Sequence, residues 1–160
     1  MSGFTPRKGD WAIITGAGSG IGRFLCQYFA QRGMNIVALD IDANAASETA
    51  RLCAQSDVQS RGESADVSDR DAMIALASAL ADEGIVPSVL WANAGVGSAA
   101  STLTGKQAAI EWLYAVNVLG PIWTAQAFAP AMLERDGPCH IGITASSASV
   151  TPVRGPFTLY

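Results

Sequence analysis

The chain has 160 residues, 49% hydrophobic and 15% charged, with a formal net charge of −4, enough for one domain with a sizeable core. Its mild acidity and scattered basic residues carry no nucleic-acid footprint, and no apolar run reaches the roughly 20 residues needed to span a bilayer. The start has no charged-then-apolar leader pattern, and Cys26, Cys53 and Cys139 are widely spaced without C-x-x-C pairing. They read as reduced, buried thiols rather than disulfides or metal ligands, so the expectation is a cytoplasmic protein without a metal site or membrane anchor.

Apolar runs of strand length alternate with segments of helical period. Residues 11–14 (WAII) read as a first strand, followed directly by the glycine loop Thr15-Gly16-Ala17-Gly18-Ser19-Gly20-Ile21-Gly22. Ile21, Phe24, Leu25, Tyr28 and Phe29 then recur as the stripe of a helix packing on a sheet. Gly33 is placed to cap the end of that helix. Residues 35–39 form a second strand ending at Asp40, residues 43–55 an alanine-rich helix, and residues 58–65 a short third strand. Ser68, with Asp71 three residues on, predicts the next helix start; Met73, Leu76, Ala77, Leu80 and Ala81 supply its buried face. Residues 89–92 make a fourth strand before the loop Asn93-Ala94-Gly95. A long helix is expected through much of 106–134, broken at Asp136-Gly137-Pro138, and a fifth strand over 140–145. This alternation implies βαβ units and an α/β, three-layer, doubly wound parallel sheet, with residues 1–160 as a single domain.

The loop after the first strand is the sharpest chemical signal. A pyrophosphate needs backbone N–H groups at close range, the positive end of a helix dipole and no obstructing side chains, and glycines opening a helix supply all three. The strict G-x-G-x-x-G fingerprint fails at Ile21; T-G-x-x-x-G-x-G fits through Thr15, Gly16, Gly20 and Gly22. Asp40, at the end of the second strand, is where a carboxylate can bond adenosine ribose hydroxyls. A 2′-phosphate there would meet like charge, at about 4 kcal/mol per unit pair at ~4 Å and an effective dielectric of 20. No Lys or Arg stands at Ala17, Ser19 or Ile41 to relieve it, so NAD(H) is expected over NADP(H); the plainer alternative is that Asp40 only caps a turn. Asp66 could likewise help begin the next helix, and Asn93 could mainly tie neighbouring strands together.

This spacing resembles the short-chain dehydrogenase/reductase family over the whole chain. Thr15 to Gly22 match its phosphate loop, with Ser19 and Ile21 within the same cofactor-binding turn. Asp66-Val67 match its adenine-contacting pair, Asn93-Ala94-Gly95 its N-A-G loop, Asn117 its helix asparagine, and Ser147 with Tyr160 its serine-to-tyrosine spacing. The resemblance implies an NAD-dependent oxidoreductase acting on an alcohol or ketone. Tyr160 would be its acid/base, Ser147 would hold the substrate oxygen, and Asn117 would position a relay water. Pro121 lacks the N–H that would bond the Asn117 carbonyl, so a kink and a free carbonyl are expected there, or simply a bent helix. A homodimer or homotetramer is implied by resemblance alone. The family pattern continues Y-x-x-x-K, and the sequence supplies no residue after Tyr160. The expectation is a piece of a longer enzyme; the alternative is an inactive NAD(H)-binding module.

Overall fold

The computed structural model describes residues 5–97 and 105–146. The short apolar runs become strands β1 (Trp11–Thr15), β2 (Asn35–Asp40), β3 (Ser60–Ser64), β4 (Pro87–Ala92) and β5 (His140–Ile143). They pair all-parallel in one sheet ordered β3-β2-β1-β4-β5. Parallel neighbours require crossovers, and helices α1 (Gly20–Ala30), α2 (Ala43–Ala54), α3 (Arg70–Asp82), α4 (Gln107–Tyr114) and α5 (Gly120–Glu134) lie along them. A π-helical turn, Ala115–Leu119, separates α4 from α5.

Both faces of a crossover-covered sheet are buried, so its strands read as continuous apolar runs. On one face Ile13, Val37, Leu39 and Leu90 pack with Met73 and Leu80 of α3 and with Phe128 and Met132 of α5. On the other, Ala12, Ile14, Ile36, Ala38 and Val89 pack with Cys26 and Phe29 of α1 and Cys53 of α2. Leu90 and Ile13 are fully inaccessible, and each such side chain contributes about 1.5–3 kcal/mol by leaving water. α2 lies directly on β3 because Gly62 has no side chain; a Cβ there would sit 2.5 Å from the Ser47 N.

Local chemistry sets the helix ends. Gly33 (φ +82°) closes α1 as expected: its N–H bonds the Ala30 carbonyl at 2.8 Å and the Met34 N–H reaches Phe29 at 3.2 Å. These are the paired bonds of a glycine-terminated helix. The cap of α3 is Asp69 rather than the expected Ser68. The Asp69 carboxylate accepts from the Ala72 N–H at 3.0 Å, while Ser68 is engaged by Asp66.

Three further expectations are corrected. The buried face of α1 is Gly22, Cys26, Phe29 and Ala30, whereas Ile21 and Phe24 are 61% and 64% exposed and Tyr28 is exposed as well. Small residues let α1 approach the sheet closely, so the large apolar residues were displaced outward. The long helix over 106–134 is interrupted by the π turn directly ahead of α5, and Pro121 is the second residue of α5. Of the cysteines, Cys26 and Cys53 are buried but Cys139 is exposed. A hydrogen bond between Cys26 and Cys53, together with burial, holds the Cys26 thiol well above the ordinary thiol range.

Candidate active site

The carboxyl ends of parallel strands are where an open α/β sheet offers a crevice, and a cleft of about 590 Å³ lies there. Gly16, Ser19, Gly20 and Ile21 line its floor from the loop between β1 and α1, and Asp40 lines it from the end of β2. Asn93, Ala94, Gly95 and Val96 follow β4, and Asn117 faces in from the π turn. Ten of the residues singled out in the sequence therefore meet in one concavity: Gly16, Ser19, Gly20, Ile21, Asp40, Asn93, Ala94, Gly95, Asn117 and Pro121.

Each is placed by an identifiable interaction. Thr15 is buried, and its Oγ1 accepts from the N–H groups of Asn93 at 3.0 Å and Ala94 at 3.1 Å, fastening the β4 loop to β1. In return Asn93 Nδ2 donates to the carbonyls of Thr15 at 3.1 Å and Gly16 at 3.3 Å. Asn93 Oδ1 accepts from the Thr144 hydroxyl at 2.9 Å, and the Trp91 indole donates to Thr144 at 3.1 Å. Asn93 thus ties the ends of β1, β4 and β5 together. Gly16 has φ +63°, and a Cβ on it would stand 2.7 Å from Ala94 Cα. Gly22 lies behind the cleft, where a Cβ would fall 2.1 Å from the Gly16 carbonyl oxygen and 2.7 Å from Asn93 Nδ2. Only glycine lets the first turn of α1 close onto the loop.

Asp40 joins the loop to the rim. Its Oδ2 accepts from the Gly18 N–H at 2.8 Å and its Oδ1 from the Asp42 N–H at 3.0 Å. Each carboxylate oxygen keeps a further lone pair for a hydroxyl. Ser19 stands at the N-cap of α1 with extended backbone and makes no side-chain cap bond, and the first turn carries no acidic residue. The helix therefore presents its first-turn N–H groups without a competing side-chain acceptor. The Asn117 amide is committed to Val96: Nδ2 donates to the Val96 carbonyl and Oδ1 accepts from the Val96 N–H, both at 2.8 Å.

The remaining expected residues stand apart from the cleft lining. Ile41 is 69% exposed beside Asp40. Asp66 Oδ1 accepts from the Ser68 N–H and hydroxyl at 2.9 and 2.7 Å. Val67 is buried in the core, its Cγ2 2.9 Å from where a Cβ of Gly120 would be. Ser147 and Tyr160 lie outside the described residues. Thr144 lines the cleft unforeseen, and Val96 lines it too. Thr144 was taken into a strand that stops at Ile143, and nothing in the sequence marked Val96 as the partner of Asn117.

The glycine cradle, the open helix start and the free lone pairs of Asp40 fit the pyrophosphate and ribose of a dinucleotide. They define a Rossmann-type α/β domain. The sequence pattern described as short chain dehydrogenase matches residues 10–158, and the chain belongs to that family. It is 36% identical over 161 residues to the mouse protein named estradiol 17-beta-dehydrogenase 11, covering 98% of this chain and 53% of that one. Against human epidermal retinol dehydrogenase 2 the identity is 32% over 154 residues, covering 94% and 50%. Among solved structures, a short chain dehydrogenase/reductase from Burkholderia phymatum in complex with NAD superposes with a TM-score of 0.87 at 33% identity, covering 95% of this chain and 54% of that one. A metagenomic short-chain oxidoreductase in complex with NADP gives 0.86 at 31%, covering 96% and 69%. The chain spans about half the length of these two curated relatives. No helix among the described residues is long and apolar enough to cross a membrane.

Proposed function

We propose that this protein is an NAD(H)-preferring oxidoreductase that interconverts a secondary alcohol and its ketone. The observation that carries the reading is Asp40, a carboxylate at the rim of the same cleft that the glycine loop and the Asn93 loop line. The names of the relatives, for dehydrogenation of estradiol and retinol, support a hydroxyl-bearing substrate. The loop from Gly16 to Gly22 would receive the pyrophosphate, Asp40 the adenosine ribose, and Ile41, Asp66 and the Val67 backbone the adenine side. Asn93, Ala94 and Gly95 would flank the remainder. When bound, the nicotinamide supplies the hydride donor or acceptor.

The proton at the substrate oxygen is the work of the chain. Tyr160 would give or take it, and Ser147 would hold that oxygen by a hydrogen bond. Because the Asn117 amide is already engaged with Val96, any relay water would be held by its main-chain carbonyl. Trp112 and Tyr114 of α4 are exposed, which supports association of copies; sedimentation of the purified protein tests this.

Titration with NADH and NADPH, followed by turnover on a panel of secondary alcohols, tests the reading. NADH is expected to bind about 10-fold or more tightly than NADPH, from like-charge repulsion at Asp40 reduced by solvent. Tyr160→Phe should abolish turnover and leave NADH affinity unchanged. Equal affinities would remove the cofactor preference, and an active Tyr160→Phe variant would remove the assignment of the acid/base. Binding without turnover would favour a cofactor-binding module.

A further inference from the structure

The crown of the glycine loop, Ala17 and Gly18, has every backbone polar group engaged, and all four partners lie outside the cleft lining or at its rim. The Ala17 N–H bonds the Leu39 carbonyl at 3.0 Å, and the Gly18 N–H bonds Asp40 at 2.8 Å, so both donors go to the end of β2. Both acceptors go to side chains. The Thr49 hydroxyl on α2 donates to the Ala17 carbonyl at 2.8 Å, and the Arg23 guanidinium on α1 donates to the Gly18 carbonyl. The two side chains are themselves joined, Arg23 Nε donating to Thr49 Oγ1 at 3.0 Å. Thr49 is wholly buried. Neither Ala17 nor Gly18 lines the cleft, although Gly16 and Ser19 on either side of them do.

We propose that Arg23 and Thr49 are positioning residues that lock the Ala17 and Gly18 carbonyls away from the cleft, presetting the loop to receive a pyrophosphate. This rests on the dinucleotide reading above. A carbonyl dipole turned toward a phosphate would repel it, and peptides on either side of a glycine turn over readily because glycine tolerates both signs of φ. In a loop with glycine at 16, 18 and 20, glycine supplies close approach but leaves the peptide orientation unfixed. Asp40 holds the donor side of the Gly18 peptide unit; Arg23 and Thr49 hold the acceptors. Thr49 also fills two roles with one hydroxyl, donating to the loop and accepting from Arg23, so a methyl in its place removes both bonds without changing volume. Affinity gained this way comes from a binding conformation held before the ligand arrives.

The test measures NADH and ADP-ribose dissociation constants, together with the ligand-free unfolding temperature, for the unaltered protein and for Thr49→Val, Thr49→Ser and Arg23→Gln. Loss of one or two hydrogen bonds of about 0.5–1.5 kcal/mol each predicts roughly 2- to 150-fold weaker binding of both ligands by Thr49→Val and Arg23→Gln. ADP-ribose must follow NADH, because the loop faces the pyrophosphate and not the nicotinamide. Thr49→Ser keeps the hydroxyl and is expected to stay within about 2-fold of the unaltered protein; this rescue is the result that a purely space-filling role for Thr49 would not give. Should Thr49→Val fail to fold, Arg23→Gln decides. Unchanged NADH affinity in the folded variants overturns the brace while leaving the cofactor reading intact. Failure of the unaltered protein to bind NADH or NADPH overturns the cofactor reading, and the brace with it.

Discussion

Replacing Thr15 by valine removes one oxygen atom and keeps the shape of the side chain. That oxygen accepts two backbone N–H groups, from Asn93 and Ala94, and Thr15 is buried at the end of β1. A buried donor left without an acceptor costs about 1–3 kcal/mol, so two part-buried donors together cost roughly 2–4 kcal/mol. The added methyl returns about 0.8 kcal/mol, leaving a net loss of about 1–3 kcal/mol. For a domain of this size that lowers the unfolding temperature by about 2–12 °C. Thr15→Ser keeps the acceptor and loses a methyl, so its fall should be about 2–4 °C. Hydrophobicity and strand propensity both rank valine above serine here; only the hydrogen-bond account ranks serine above valine. Thermal unfolding of the two variants followed by circular dichroism is sufficient. A valine variant as stable as the serine one would refute the role given to the Thr15 oxygen.

Gly22→Ala should weaken NADH binding about 10-fold or more, since its Cβ must find room 2.1 Å from the Gly16 oxygen and overpacking of this kind introduces roughly 1–3 kcal/mol of strain; fluorescence titration reads the change. The Thr124 hydroxyl is fully buried and without a hydrogen-bond partner among the described residues. Thr124→Val is therefore expected to leave the unfolding temperature unchanged or raise it by about 1–4 °C, and a fall would reveal a partner for that hydroxyl. Brief maleimide treatment of the native protein should modify Cys139 alone, because Cys26 and Cys53 are buried and the Cys26 thiol is held protonated. Peptide mass mapping checks this, with all three cysteines reacting in denaturant.

The sheet was legible because a parallel sheet covered on both faces leaves continuous apolar runs, as in β1, β2 and β4. The glycine loop was legible because its chemistry is local: residues adjacent in sequence do the work. What escaped reading is long-range or depends on size rather than polarity. The stripe of α1 was misassigned because its contact face is built from Gly22, Cys26 and Ala30, residues that pattern analysis scores weakly, while Phe24 and Tyr28 face outward. The Arg23–Thr49 pair brings together different helices and no local motif marks it. Asn117 was found by position, yet its amide turned out to be bound to Val96, which no spacing could foretell. At α3 two adjacent polar residues competed for the cap, and the carboxylate of Asp69 took the place expected for the Ser68 hydroxyl.

The π turn over Ala115–Leu119 can be understood as a phase shift. Such a turn is an α-helix carrying one surplus residue, and one residue is worth about 100° of rotation and 1.5 Å of rise. The helical stretch on either side therefore answers to two different sets of neighbours. Downstream, α5 keeps Phe128 and Met132 in the core beside α3; upstream, Leu113 and Val116 are buried while Asn117 remains turned toward Val96. Delete the surplus residue and the helix would run continuously, but one of its two registers would have to be abandoned. Either the core contacts of α5 or the grip of Asn117 on the β4 loop would rotate out of reach.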